Sequence, residues 1–98
     1  MFTLTAIIRA KPGLQDRVKK ALIKVGEYVR ANEPDTLSFY VTESADEPYV
    51  FVTHERFRSS EAMERHNNGA GSQEFFAEVG DFLDGPPLVV TGPEEFKR

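Results

Sequence analysis

Twice along this chain the spacing of apolar residues changes from every second residue to the three-and-four interval of a helix, and then back. Phe2, Leu4, Ala6, Ile8 and Ala10 alternate with Thr3, Thr5, Ile7 and Arg9, which predicts a strand ended by Lys11-Pro12-Gly13. Leu14, Val18, Ala21, Leu22, Val25 and Val29 then fall on one stripe of a helix over residues 14–31. That helix stops at Asn32-Glu33-Pro34-Asp35, because Pro34 disfavours α backbone at Glu33 and has no N–H to donate. Leu37, Phe39 and Val41 alternate with Ser38, Tyr40 and Thr42 in a second strand, 37–43. A polar turn over 44–48 leads to a third strand, 49–57, and the short connection predicts an antiparallel hairpin.

The second half repeats the layout without a residue-level repeat. Ser59 is placed to cap a helix running to about Asn67, with Glu61 favourable in its first turn. Asn68-Gly69-Ala70-Gly71 interrupts it. Ser72 is expected to cap a second segment, whose apolar stripe is Phe75, Phe76, Val79, Phe82 and Leu83, with the Phe75-Phe76 pair in the core. Asp84-Gly85-Pro86 closes that segment, a short strand is expected over 87–91, and a charged tail follows, with Phe96 to order it. The order βαβ-βαβ in one domain of 98 residues predicts the α+β class. The expected fold is a ferredoxin-like split βαβ, a four-stranded antiparallel sheet with helices on one face.

Helices on one face leave the other bare. If Phe2, Leu4, Leu37, Phe39 and Val41 look toward the helices, Ile7 and Tyr40 look away, and either parity of the third strand adds apolar side chains: Tyr49, Phe51 and Phe57, or Val50 and Val52. A bare apolar face of this kind marks an interface. The expectation is a homodimer, two sheets face to face in a dimeric α+β barrel.

Composition removes several classes of function. The chain has no Cys, so disulfides and thiolate metal sites are out. A net charge of −4 argues against a nucleic-acid surface, which needs clustered Lys and Arg. No apolar run approaches the roughly 20 residues that span a bilayer, and the N-terminus has no basic region followed by an apolar stretch. Neither nucleic-acid nor membrane partners are expected, and the expected location is the cytoplasm.

Few side chains can carry chemistry. His66 lies at a helix end beside a glycine-rich bend, with Asn67 next to it and Met63 one turn back. A neutral imidazole there can act as general base on a phenol or carbonyl compound; the competing role is a cation at a helix C-terminus. His54 reads as a surface or interface histidine. Glu55 shares a strand face with Thr53 and Phe57, and a salt bridge to Arg9 or Arg56 is expected. Tyr28, Tyr40 and Tyr49 offer phenolic hydroxyls. Gly69-Ala70-Gly71 lacks the lysine and preceding strand of a phosphate loop, and no organic cofactor or metal is indicated.

Three blocks carry a family resemblance over about residues 2–90: Lys11-Pro12-Gly13, Glu33-Pro34-Asp35-Thr36-Leu37-Ser38-Phe39, and His54-Glu55-Arg56-Phe57 leading to Ser60-Glu61-Ala62-Met63-Glu64-Arg65-His66. On these the chain resembles the antibiotic biosynthesis monooxygenase (ABM) family of the dimeric α/β-barrel superfamily. Glu55, Arg56, Ala62 and His66 match its most specific block, while Phe57 stands where Trp is usual and Met63 where Leu is usual. The resemblance implies a homodimer that oxygenates electron-rich aromatics, quinols or polyketide-like anthrones, with dioxygen and without metal or flavin. It makes His66 the base, and Tyr40, Phe57, Asn67 and Met63 pocket residues. Haem-degrading relatives carry a helix His further along, where this chain has Phe76. The alternatives are a cofactor-free isomerase of a small carbonyl compound, like the autoinducer-2 phosphate isomerases, and a non-catalytic ligand-binding barrel.

Overall fold

A computed structural model describes residues 1–98. Its elements are β1 (Phe2–Arg9), α1 (Gln15–Asn32), β2 (Thr36–Glu43), β3 (Val50–Phe57), α2 (Ser60–Asn67), α3 (Ala70–Val79) and β4 (Leu88–Pro93), with a single 3-10 turn, Gly80–Phe82, after α3. The four strands form one antiparallel sheet in the order β2-β3-β1-β4, and the helices cover one face. This is the expected α+β, ferredoxin-like split βαβ architecture.

The core lies between sheet and helices. Leu4, Ala6, Ile8 and Ala10 point into it from the first strand, and Val18, Ala21, Leu22, Val25 and Val29 answer from α1. Each fully buried Val or Leu contributes about 1.5–3 kcal/mol, so the α1 stripe is the main reason this helix docks where it does. The parity of β3, which alternation alone leaves open, is resolved: Phe51, Thr53, Glu55 and Phe57 face the helices. His54 and Val52 therefore face away, His54 opposite Thr5 and Tyr40, and Val52 opposite Ile7 and Thr42. At the start of β2 a bulge between Thr36 and Ser38 takes up Leu37.

Local details depart from the sequence reading at three points, after one that agrees. Ser59 caps α2, its hydroxyl accepting the Ala62 N–H at 3.1 Å. Ser72, however, does not cap α3, which begins at Ala70 after Gly69; its hydroxyl instead donates to the His66 carbonyl at 2.9 Å and pins the joint between α2 and α3. Phe75 is buried, but Phe76 is half exposed, because neighbouring residues on a helix point about 100° apart and cannot both face the core. Phe96 is exposed and orders nothing; the start of the tail is held by Glu94, whose N–H donates to the Met1 carbonyl and whose carboxylate accepts from both Nε and Nη2 of Arg56, at 2.6 and 2.9 Å. No helix is long and apolar enough to cross a membrane.

Candidate active site

The sheet and helices enclose a cavity of about 230 Å³, nine of whose fifteen lining residues are hydrophobic. Leu4, Ala6 and Ile8 line it from β1, Leu22 and Val25 from α1, Phe39 from β2 and Phe75 from α3. Phe76 and Val89, each about half exposed, also line it and place its rim between α3 and β4. The volume lies below the ~300–1,000 Å³ of drug-sized ligand sites, so the cavity suits a small ligand. Its polar lining is short: Thr53, Glu55, His66, Asn67 and Ser72.

His66, Glu55 and Glu33 form one unit in this wall. His66 is held where α2 meets α3, with Phe57 and Phe39 tilted against its ring at centroid distances of 5.4 and 5.8 Å. Its Nδ1 lies 2.7 Å from Glu33 Oε1 and its Nε2 3.1 Å from Glu55 Oε1. Glu33 comes from the C-terminal end of α1, where it also accepts the Thr36 hydroxyl at 2.8 Å. Glu55 comes from β3 and accepts the Thr53 hydroxyl on Oε2 at 2.7 Å. The Nε2 contact is close enough for an ion pair but not aligned as a hydrogen bond, and Glu55 Oε1 is buried without a hydrogen-bond partner.

Burial pulls the His66 pKa down, but the two adjacent carboxylates, Glu55 first and then Glu33, outweigh it and hold the imidazole above its ordinary value. The ring therefore stays an imidazolium, between two carboxylates, to higher pH than an ordinary histidine. The unit also spans two environments. Glu55 and His66 border the apolar cavity, whereas Glu33 and the other side of His66 border a polar surface depression with Asn32, Asp35 and Arg65. The two carboxylates sit at opposite edges of the ring and do not converge on one point, and no group of three or more His, Asp or Glu is arranged to hold a metal.

Of the residues expected at the site, the structure brings His66 and Asn67 to the cavity. Phe57 is fully buried behind the imidazole and backs it rather than lining the cavity. Met63 is half-buried against the core and also lies outside the lining. Tyr40 is not at this site: strand alternation puts Phe39 inside and Tyr40, 64% exposed, on the opposite face of the sheet. The expected salt bridge of Glu55 to Arg9 or Arg56 does not form, because Glu55 points to the helical side; Arg9 pairs with Glu47 and Arg56 with Glu94. The sequence reading missed Glu33 as a site residue, taking it only as a helix stop. A carboxylate at a helix C-terminus, where the dipole opposes it, was the available signal.

Fold and site define the class: a ferredoxin-like α+β domain with a buried carboxylate–imidazolium–carboxylate unit in the wall of an apolar cavity. The family model described as "Antibiotic biosynthesis monooxygenase" matches residues 1–78, and the chain belongs to that family. A putative antibiotic biosynthesis monooxygenase from Nitrosomonas europaea superposes with a TM-score of 0.89 at 23% identity, covering 98% of this chain and 100% of its own. Rv0793 from Mycobacterium tuberculosis gives 0.88 at 24% identity, covering 98% and 96%. A putative antibiotic biosynthesis monooxygenase from Caulobacter crescentus gives 0.86 at 23% identity, covering 92% and 85%. At these identities the likeness is one of fold. No curated protein matches the chain.

Proposed function

We propose that the protein is a cofactor-independent monooxygenase that oxidises a small quinol-like or polyketide-like aromatic with dioxygen. The observation that carries this reading is the His66 unit set in an otherwise apolar wall. An aromatic with an acidic C–H or O–H is deprotonated there, and its anion is the reductant. The imidazolium offers a fixed positive charge to that anion beside an apolar wall, where such charge counts for more than in water. For an anthrone, the anion combines with dioxygen to a peroxide. The peroxide takes a proton back, and loss of water with the second hydrogen leaves the ketone. One methylene group and one dioxygen molecule thus become one carbonyl group and one water molecule, with both oxygen atoms fully reduced. No Lys or Arg lines the cavity, so nothing there favours the phosphorylated substrate that the isomerase alternative requires.

The assembly expected with this activity is a homodimer joined through the uncovered sheet face. Ile7, Val52, Leu88, Val90 and Tyr40 supply apolar surface there, of which Leu88, Val90 and Tyr40 are well exposed.

Oxygen uptake with a panel of reduced quinols and anthrones tests the activity. Wild type is expected to accelerate uptake, insensitive to chelators, and His66→Gln to lose most of it together with the charge it supplies. Rates that equal the uncatalysed one for both proteins across the panel would leave a ligand-binding barrel as the reading.

A further inference from the structure

We propose that the group that takes the substrate's proton is Glu55, through Oε1, and that His66 is a positioning residue that also supplies charge. This rests on reading the cavity as a site of proton abstraction. Both imidazole nitrogens face carboxylates, Nδ1 at 2.7 Å from Glu33 and Nε2 at 3.1 Å from Glu55. With a proton on each nitrogen, the ring has no lone pair to offer a ligand. Glu33 does not line the cavity, and its Oε1 already serves the ring and the Thr36 hydroxyl. Glu55 does line it. Its Oε2 is taken by the Thr53 hydroxyl, but Oε1 is buried with only the Nε2 contact at 3.1 Å, which is not aligned as a hydrogen bond. A buried acceptor left unpaired costs free energy, and few persist in folded proteins. An acidic C–H or O–H brought into the cavity gives that acceptor its donor.

The step balances. Oε1 forms a bond to the proton, and the electron pair of the broken C–H or O–H bond stays on the substrate. With both carboxylates ionised, the unit goes from a net charge of minus one to zero and the substrate from zero to minus one. Returning the proton to the peroxide restores the unit.

This assignment and a His66 base demand different pH behaviour. A His66 base must be neutral, so the rate would climb as pH rises through the His66 titration. A Glu55 base is already competent below that titration, where its rate levels off instead of falling about tenfold for each unit of pH. The titration lies above the ordinary His range because Glu55 and Glu33 outweigh burial. Other charged groups near the unit are paired: Asp35 takes Arg58 and Arg65 at 2.9 and 3.0 Å. Tyr28 borders the polar depression, and Arg56 is on the far side of the sheet with Glu94.

The test is deuterium wash-in at the methylene of anthrone and of dithranol, in heavy water under argon, followed by proton NMR with the buffer rate subtracted. Wild type is expected to accelerate exchange and to hold a level rate as pD is lowered below the His66 titration. Glu55→Gln is expected to lose roughly 100-fold or more. His66→Gln should keep part of the rate and show no step through the His range. Exchange by Glu55→Gln at the wild-type rate, a wild-type rate that keeps falling about tenfold per pD unit below that titration, or no acceleration with either probe would overturn the assignment. The wild-type profile needs no variant, so it decides the matter even if Glu55→Gln does not fold. Catalysed exchange without oxygen uptake in air would sink the monooxygenase reading and leave Glu55 as the acceptor.

Discussion

Glu33 and Glu55 are charged residues in places where a chain seldom keeps them, one against the negative end of a helix dipole and one facing the core of a strand. Each is stabilised by the imidazolium between them, so His66 links stability to pH. Its folded pKa is raised above the unfolded value near 6.5. The stabilisation is therefore complete below the unfolded value and is lost as pH rises through the folded one. We expect the wild-type melting temperature to decline as pH is raised from below about 6.5 into the mildly alkaline range, and His66→Gln to lack that decline, as followed by circular dichroism; a flat wild-type profile would contradict the ion-paired unit. Only part of this was legible in sequence. His66 stood out as one of two histidines, and alternation put Glu55 on one strand face with Thr53 and Phe57, without saying which way that face turns. The partners did not follow, because Glu33, Glu55 and His66 come from three elements whose meeting depends on the closed fold.

At the scale of elements, the position of α3 decides the shape of the cavity. Gly71 lies where α3 crosses α1: a Cβ there would sit 2.8 Å from Cδ1 of Tyr28, closer than carbon atoms tolerate. The glycine lets the two helices approach and brings Phe75 and Phe76 to the cavity. Gly71→Val is expected to overpack this contact at a cost of about 1–3 kcal/mol. For a domain of this size each kcal/mol lowers the melting temperature by about 4–8 °C. A variant that melts at or above the wild-type temperature would show that the crossing is not tight. Periodicity identified the helical stripe of this region but not its start, because α3 begins two residues before Ser72, which sequence rules favoured as the cap. The hydroxyl found a better partner in the His66 carbonyl, a contact that exists only once α2 and α3 pack together.

For the whole molecule, the decisive feature is a sheet covered on one side. Ile7, Val52, Leu88 and Val90 cluster on the other side with Tyr40 and His54, across adjacent strands. Sedimentation at micromolar concentration is expected to show a dimer. Val90, 67% exposed in the single subunit, can be changed without disturbing its core. Val90→Glu should weaken association by roughly tenfold or more, equivalent to about 1.4 kcal/mol, while the melting curve at high dilution stays in place. A wild-type protein that sediments as a single subunit would remove the barrel and the interface together. The amino-acid sequence by itself determined the order of elements, the face each strand and helix turns inward along β1, α1 and β2, and the fold class. Those properties are local: they follow from alternation, helical spacing, and the backbone limits of proline and glycine. Tertiary structure alone decided the parity of β3 and the joining of Glu33, His66 and Glu55. Those depend on which elements meet, and the free energy that selects the meeting comes from burying the shared core rather than from any one segment.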